Sequence, residues 1–288
     1  MEIVIASGKG GTGKTTLTSS LIYLLWDEKK LISVDADAEA PNLHLLLGIN
    51  LTSVEEVFSS KIAEIDYRKC KRCNICVENC VFRAMAEGPV VKEHLCEGCG
   101  ACKASCPFDA ITLKEVPSGE ILISEEGKYS PFISARTYPG RPNTGKIVFE
   151  EKRIARELLR KGMGDNILVD SAAGIGCQVI ASLSGSDRAI LVTEPTKASL
   201  EDLKRIHSVV EHFGIPSYLV INKSGMTSFD GIEKFSKENG LEKIGEIPYS
   251  TEVLKAISIG VPVVKSFPES EASREISRIA EIISDWLD

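Results

Sequence analysis

The sequence predicts an α/β fold in which a mostly parallel sheet, covered by helices, is interrupted by a small α+β module rich in cysteine. Short apolar runs alternate with stretches of helical periodicity along most of the chain. A glycine-rich loop joins the first apolar run to the first helical stretch. Eight of the nine cysteines lie between Cys70 and Cys106. The alternation is typical of βαβ units, and the crowded cysteines indicate a unit with its own chemistry.

The individual elements follow from length and periodicity. Short apolar runs predict strands buried on both faces, at residues 2–6, 31–34, 166–169, 189–193 and 218–222. Apolar residues spaced by three or four positions predict helices at residues 14–26, 145–160, 197–213 and 229–239. Residues 116–145 are rich in Gly, Pro and Ser, and they predict a hairpin with a loop to which no chemistry is assigned.

An internal repeat predicts the domain boundaries. Cys70, Cys73, Cys76, Cys80, Phe82 and Ala84 recur 26 positions later as Cys96, Cys99, Cys102, Cys106, Phe108 and Ala110. A duplicated unit inserted after the second strand divides the chain into a parent domain of residues 1–63 and 116–288 and a module of residues 64–115.

Composition limits the classes of function. The 288 residues are 43% hydrophobic and carry a formal net charge of −7. No stretch approaches the roughly 18 to 20 apolar residues that span a bilayer, and residues 1–7 resemble a strand more than a signal peptide. We therefore expect a cytoplasmic protein that binds neither membrane nor nucleic acid. Nine cysteines in such a protein indicate metal ligands before disulfides.

The glycine-rich loop carries a phosphate-binding motif. It reads Gly8-Lys9-Gly10-Gly11-Thr12-Gly13-Lys14-Thr15-Thr16, between a predicted strand and a predicted helix. The glycines let backbone N–H groups converge on phosphate oxygens, and the helix adds its positive end. Lys14 is expected to reach the β and γ phosphates, and the Thr15 hydroxyl to ligate Mg²⁺. The motif predicts a P-loop that binds ATP or ADP.

Lys9, directly after the first glycine, makes this loop resemble the deviant Walker A motif of the MinD/ParA/Mrp and nitrogenase iron protein superfamily. The resemblance implies a homodimer that forms on ATP binding, in which Lys9 reaches the phosphates held by the partner subunit. Lys9, Lys14 and Asp37 are then the catalytic residues, with Asp37, in Ser33-Val34-Asp35-Ala36-Asp37, orienting the attacking water or a Mg²⁺-bound water.

Two further segments match this superfamily. Asp170, in Val169-Asp170-Ser171-Ala172-Ala173-Gly174, corresponds to the acid that holds Mg²⁺, and the Gly174 N–H to a sensor of the γ-phosphate. Many relatives have proline where this chain has Ala172, which implies a change in the stiffness of that turn. Asn222 and Lys223 occupy the position where an asparagine reads the adenine edge.

The cysteine repeat has the C-x2-C-x2-C-x3-C spacing twice, which resembles two-cluster bacterial ferredoxins. In such proteins three cysteines of one motif and the last cysteine of the other hold each [4Fe–4S] cluster. The resemblance assigns Cys70, Cys73, Cys76 and Cys106 to one cluster, and Cys80, Cys96, Cys99 and Cys102 to the other. Val81 stands where proline is usual in the first motif. Structural zinc is the alternative, but it does not require a third cysteine at this spacing.

Cys177 follows Asp170 by seven positions, as does a cysteine that bridges subunits in the nitrogenase iron protein. The second bridging cysteine has no counterpart here, and a lone cysteine is most often a small buried apolar residue. Both interpretations of Cys177 stay open.

Three functions remain at this stage. The first is a nucleotide-switched dimer that couples ATP state to electron transfer or metallocofactor handling for a redox or cofactor-accepting partner protein. The second is a positioning ATPase of the MinD/ParA type, with structural or redox-sensing clusters; the acidic residues of 271–288 disfavour its membrane-bound form. The third is a scaffold that holds ATP without turnover.

Overall fold

The structure is a computed structural model that describes residues 1–141 and 144–288, except the side chain of Ser53. The strands are β1 (Glu2–Ser7), β2 (Leu31–Ala36), β3 (Ser53–Ile65), β4 (Met85–Ala86), β5 (Val90–Val91), β6 (Ile111–Ser124), β7 (Phe132–Thr137), β8 (Asn166–Ala173), β9 (Arg188–Thr193), β10 (Ser217–Ser224) and β11 (Glu242–Pro248). The helices are α1 (Lys14–Lys29), α2 (Leu43–Leu47), α3 (Ile75–Glu78), α4 (Ala101–Ala104), α5 (Thr144–Arg160), α6 (Cys177–Leu183), α7 (Lys197–His212), α8 (Gly231–Glu238), α9 (Thr251–Ser258), α10 (Val263–Ser266) and α11 (Glu271–Leu287).

Nine of the strands form one sheet in the order β11-β10-β9-β1-β8-β2-β7-β6-β3. The seven strands from β11 to β7 are parallel, whereas β6 runs antiparallel to both β7 and β3. This confirms the predicted α/β fold with a mostly parallel sheet. Each predicted strand and helix coincides with an observed one, with ends that differ by at most four residues.

Two apolar cores lie on opposite faces of the sheet. On one face, side chains of α5, α6, α7 and α8 pack against the strands. On the other face, α1, α2, α10 and α11 do so. The central strands are apolar on both sides for this reason. The apolar face of α11, including Ile276 and Ile283, is buried in the second core, and the helices of the described ranges include none suited in length and apolarity to crossing a membrane.

The cysteine-rich segment lies at the end of a long antiparallel pair. Strands β3 and β6 pair from Ser53 opposite Ile123 to Ile65 opposite Ile111, so both predicted domain boundaries fall inside strands. Residues 66–110 between them contain α3, α4 and the two-stranded β4-β5 sheet. The predicted hairpin in residues 116–145 is confirmed as the antiparallel β6-β7 pair, and Pro142 and Asn143 of that segment lie outside the described residues.

Candidate functional site

The P-loop connects β1 to α1 at the carboxyl end of the central strand. Gly8 has no room for a side chain, because a Cβ there would overlap the backbone carbonyl of Asp202 in α7. Gly13 has φ 94°, a conformation that glycine adopts without strain. Among the hydrogen bonds of the described residues, none is donated by the backbone N–H groups from Gly10 to Gly13. These groups, at the start of a 16-residue helix, form a cradle suited to phosphate.

Lys14 and Asp170 are buried beneath this cradle. Lys14 is 8% exposed and its Nζ donates to Ser7 Oγ at 2.9 Å. Asp170 is 1% exposed and its Oδ1 accepts from Thr18 Oγ1 at 2.9 Å. Burial lowers the pKa of Lys14, while the Asp170 and Asp37 carboxylates oppose that shift. Burial likewise raises the pKa of Asp170, and Lys14, Thr15 and Thr18 oppose the rise. A buried lysine and a buried acid thus lie beneath the cradle, and a magnesium nucleotide would bring the phosphate and Mg²⁺ charges that match them.

The two acids that end β2 differ in environment. Asp35 is buried, and its Oδ2 accepts from the backbone N–H groups of Asn42 and Leu43, both at 2.9 Å. Burial and the Asp170 carboxylate raise the pKa of Asp35. Asp37 is half-buried, and within the described ranges its carboxylate accepts from the Ala40 N–H alone, at 3.3 Å. Asp35 therefore supports the turn that leads to α2, and Asp37 is the acid with access to solvent.

Glu151 of α5 is a buried acid that the sequence analysis missed. Its side chain is fully buried, and neither carboxylate oxygen has a hydrogen-bond partner in the described part of the chain. Burial raises its pKa well above the ordinary value, and the Asp35 and Asp37 carboxylates add to the rise. Burial and the two strand-end carboxylates thus favour the protonated form of Glu151. Its spacing of three or four positions from Val148 and Ile147, and likewise from Ile154 and Ala155, places it on the apolar face of α5, which is a local signal that could have identified it.

Lys9 is held by Glu194, the residue directly after β9. The Lys9 Nζ lies 2.7 Å from Glu194 Oε2. Glu194 Oε1 accepts from Lys223 Nζ at 2.5 Å, and the same amine donates to the Gly11 carbonyl at 2.8 Å. Partial burial acts to raise the pKa of Glu194, but hydrogen bonds from Lys223 and Lys9 outweigh it and lower the pKa. An acid at the carboxyl end of a parallel strand was a signal that could have identified Glu194.

A cleft of about 530 Å³ opens from the P-loop. Its lining includes Lys14, Thr15, Thr16, Asn222 and Lys223, together with an apolar wall that the sequence analysis missed, formed by Leu45, Tyr249, Val253, Leu254 and Ile257. This volume and mixed lining suit a nucleotide. A larger surface cleft of about 790 Å³ lies between residues 47–52 and 123–129, away from every predicted phosphate ligand.

Asn222 and Gly174 both contact the P-loop region through bonds within the protein. The Asn222 amide donates to the Thr12 carbonyl at 2.7 Å, so in this structure it supports the loop. The Gly174 N–H donates to the Ser7 carbonyl at 2.9 Å, and Gly174 has φ 96°. Contact between Gly174 and a γ-phosphate would therefore require that bond to open. Both assignments, adenine reader and phosphate sensor, stay predictions.

The eight repeated cysteines are free thiols with graded burial. Cys76 and Cys96 are buried, Cys73 and Cys99 are exposed, and the other four are half-buried. Burial raises the pKa of Cys102, and the thiols of Cys96, Cys99 and Cys80 add to the rise. Burial raises the pKa of Cys76 in the same way, with Cys70 and Cys73 adding to it. The neighbours of Cys102 are thus the three thiols predicted to share its cluster.

Four of the thiols are arranged around one small apolar pocket and not around a point. Cys80, Cys96, Cys99 and Cys102 line one pocket, together with Met85 and Leu113. In residues 1–141 and 144–288, no three His, Cys, Asp or Glu side chains are placed to ligate a single ion. A four-iron cluster takes one thiolate on each iron, so its ligands need not converge. The donor chemistry and the interleaved set therefore fit such a cluster better than zinc.

Residues 137–141 and Gly145 contact the turn after Asp37, the residues just before Cys96, and the start of α6. Thr137 donates two hydrogen bonds to the Ala38 carbonyl beside Asp37, from its N–H at 2.9 Å and its Oγ1 at 3.3 Å. Arg141 pairs with Glu93 at 3.5 Å, and Gly140 lies against the His94 backbone. Gly145, at the start of α5, packs against Cys177, the exposed first residue of α6 after Gly174.

Comparison with known proteins supports this description. The CobQ/CobB/MinD/ParA nucleotide binding domain matches residues 3–263. An uncharacterised protein of Methanocaldococcus jannaschii is 31% identical over 294 residues, which cover all of this chain and 97% of that relative. A protein of Pyrococcus abyssi named iron-sulfur cluster carrier protein is 22% identical over 301 residues, covering 99% of this chain and 86% of the relative.

A solved structure has the same fold. The septum site-determining protein MinD of Pyrococcus horikoshii, complexed with Mg-ADP, superposes with a TM-score of 0.60 at 22% identity, covering 98% of this chain and 95% of that one. At this level of identity the likeness concerns the fold alone.

Proposed function

Because this chain belongs to the CobQ/CobB/MinD/ParA family of nucleotide-binding proteins, we propose that it is an ATP-hydrolysing iron–sulfur protein. In this proposal it dimerises on binding ATP and couples its nucleotide state to electron transfer or metallocofactor handling for a partner protein. The supporting observation is that residues 137–141 contact both the turn after Asp37 and residues 93–94, just before the second cysteine motif.

The nucleotide chemistry is assigned to residues around the P-loop. The free N–H groups from Gly10 to Gly13 bind phosphate oxygens, and Lys14 offsets their charge. Thr15, Asp37 and Asp170 would hold Mg²⁺, directly or through water, and that ion supplies charge neutralisation on the phosphates when it is bound. Asp37, the half-buried acid, positions the attacking water.

Lys9 is proposed to act on the nucleotide of the other subunit. In the single chain its amine is paired with Glu194 at 2.7 Å, so the lysine must leave this carboxylate before it can reach a phosphate in trans. The two partners are 31% and 14% exposed, and an ion pair with this access to water exchanges readily for a more highly charged phosphate. In this proposal, dimerisation exchanges the Glu194 carboxylate for a phosphate as the anionic partner of Lys9.

The cysteine-rich module, residues 64–115, is proposed to hold two [4Fe–4S] clusters. One set is Cys70, Cys73, Cys76 and Cys106, and the other is Cys80, Cys96, Cys99 and Cys102. Such clusters supply one-electron redox chemistry when they are bound. The protein contributes thiolate donors, an apolar surrounding and N–H groups aimed at sulfur, such as that of Ala63, which lies 3.4 Å from Cys96 Sγ. Hydrogen bonds of this kind tune cluster potentials.

The name of the Pyrococcus abyssi relative, iron-sulfur cluster carrier protein, agrees with a role in metallocofactor handling. The alternative function is a MinD/ParA-like positioning ATPase with structural or redox-sensing clusters, and its membrane-bound form conflicts with the burial of the apolar face of α11. We therefore prefer the cofactor-handling function.

Anaerobic purification tests the proposal directly. We expect close to eight iron and eight sulfide per chain, as two cubanes require, and ATP turnover that changes when the clusters are reduced by dithionite. Cys76→Ser and Cys102→Ser should each lose about half of the iron, whereas Cys177→Ser should lose none. Four or fewer irons after full reconstitution, or stoichiometric zinc, would contradict the two-cluster assignment. Turnover that is absent from the iron-loaded protein would contradict the ATPase assignment.

A further inference from the structure

The two cysteine motifs are attached to the rest of the chain in different ways. The second motif is held by the nucleotide-binding part: Cys96 Sγ accepts from the Ala63 N–H at 3.4 Å, and Gly98 packs on the backbone of Lys61. Residues 67–80 of the first motif form hydrogen bonds and ion pairs only within residues 64–115, as far as the described chain shows. Residues 67–69 and 71–73 therefore form an outward, exposed end of the first motif, while Cys76 packs in the apolar cluster with Ile62 and Ala63.

This outward end is strongly basic in a chain of net charge −7. Arg68, Lys69, Lys71 and Arg72 surround Cys70 and Cys73, and all four basic side chains are exposed. At the corresponding positions of the second motif, 26 residues later, the chain has His94, Leu95, Glu97 and Gly98. Repeat-related positions thus differ in charge, so the basic character is a property of the first motif and not of the repeat.

Intramolecular contacts do not account for these charges. Arg68 pairs with Asp66 at 3.1 Å, and Lys69 Nζ donates weakly to the Asp109 carbonyl at 3.4 Å. Lys71 and Arg72 have no ion-pair partner among the residues that the structure describes. Two adjacent cations without an ion-pair partner repel each other at a cost to stability; cluster-bound thiolates at Cys70 and Cys73 would offset part of it, and the exposed side chains remain open to an external anion.

Arg72 shares its backbone conformation with its counterpart in the second motif. Arg72 has φ 56°, and its counterpart Gly98 has φ 62°. This left-handed conformation costs a residue with a side chain about 1 kcal/mol relative to glycine. Stability alone would therefore favour glycine at both positions, as at Gly98. The arginine occupies the unfavourable conformation with its side chain in solvent.

We propose that the face formed by Tyr67, Arg68, Lys69, Lys71 and Arg72, here called the first-motif face, docks an acidic electron-carrier protein of the ferredoxin class. This inference rests on the proposed cluster function. Tyr67, 58% exposed, adds the kind of aromatic contact that is enriched in interfaces. A compact carrier with carboxylates around its own redox centre complements this small basic face, whereas a long polyanion would also meet the acidic remainder of the chain.

The test measures binding of a purified acidic [4Fe–4S] ferredoxin to the anaerobic, iron-loaded protein over a range of salt concentrations. Lys71→Glu/Arg72→Glu should weaken binding by about tenfold at low salt and flatten the salt dependence. The matched control is Lys161→Glu/Lys237→Glu, which changes net charge equally at two exposed lysines elsewhere. The control should retain the wild-type affinity within about twofold.

A second variant separates docking from folding. Arg72→Gly copies the second motif and relieves the left-handed backbone, so it should keep full iron content and unchanged or higher thermal stability while it weakens ferredoxin binding. Equal losses of ferredoxin affinity in the charge-reversal and control variants would overturn the proposal. Wild-type affinity in both Arg72→Gly and Lys71→Glu/Arg72→Glu would overturn it as well. Charge-sensitive binding of an RNA oligomer or anionic vesicles without ferredoxin binding would overturn it too. A wild-type protein without iron would instead refute the cluster function itself.

Discussion

Binding of ATP should shift the reduction potential of the clusters, and Thr137 should carry part of the shift. Thr137 donates two hydrogen bonds to the Ala38 carbonyl, in the turn after Asp37. It leads into residues 138–141, which contact Glu93 and His94 just before the second cysteine motif. If nucleotide binding moves Ala38, these bonds form in one state and weaken in the other. Linkage then requires the redox state of the clusters to alter ATP affinity by the same factor.

The expected size of the shift follows from those two bonds. Each is worth about 0.5 to 1.5 kcal/mol, so together they couple the sites by about 1 to 3 kcal/mol, the usual range for allosteric proteins. For a one-electron couple a tenfold change in affinity corresponds to about 59 mV. The potential should therefore move by roughly 40 to 130 mV between the nucleotide-free and ATP-bound states. Thr137→Val keeps the backbone bond and removes the side-chain bond, so it should reduce the shift by about half.

The assay is EPR-monitored potentiometry without nucleotide, with ADP, and with a non-hydrolysable ATP analogue. Lys14→Ala serves as the binding-deficient control. Thr52→Val is the matched control, because Thr52 Oγ1 also donates to a backbone carbonyl, that of Ile123 at 3.5 Å. This bond does not involve Ala38 or residues 137–141. Potentials that agree within error across all nucleotide states would refute redox gating by nucleotide. A full shift in Thr137→Val would refute the part assigned to this segment.

Three further predictions concern the nucleotide site and its support. Lys14→Ala should abolish nucleotide binding, whereas Lys9→Ala should retain it and lose hydrolysis and ATP-dependent dimerisation; Lys9→Ala turnover at the wild-type rate would show that the signature-lysine assignment is wrong. Glu151 has an ordinary pKa of 4.5 that burial raises, so the folded state retains a proton that the unfolded state loses, and wild-type stability falls as pH rises through this window. The difference in urea-unfolding free energy between Glu151→Gln and wild type should therefore change in favour of the variant by up to about 1.4 kcal/mol per pH unit above about pH 5. A difference that does not depend on pH would contradict this. Lys152 is 2% exposed and pairs with Glu2 at 2.8 Å, so Lys152→Met should lower the unfolding free energy by about 3 kcal/mol, and a loss below about 1 kcal/mol would mean that the pair is not a structural requirement.

For some site residues the sequence identified the residue but not its contacts. Lys9 was identified by its place in the loop motif, but its pairing with Glu194 was not, although an acid directly after a strand is a detectable signal. Asn222 was predicted to read adenine, and the structure places its amide on the Thr12 carbonyl at 2.7 Å. Local pattern thus found both residues but did not determine what each contacts.

The amino-acid sequence by itself determined the parts of this protein that depend on spacing between near neighbours. Alternating apolar runs and helical periods predicted the parallel sheet, and the glycine-rich loop predicted the phosphate cradle. Such features are encoded within a few residues, because strand burial, helix periodicity and loop geometry act over that range. The two interleaved cysteine ligand sets stay a prediction.

Only the tertiary structure decided how these parts meet. The pairing of Lys9 with Glu194, the burial of Glu151 beside Asp35, and the bonds from Thr137 to Ala38 each join residues about 100 or more positions apart. The sheet order brings the carboxyl ends of β1, β2, β8 and β9 together at one edge, and no local pattern specifies that order. The physical reason is that such contacts arise from packing the whole apolar core, which depends on every element at once.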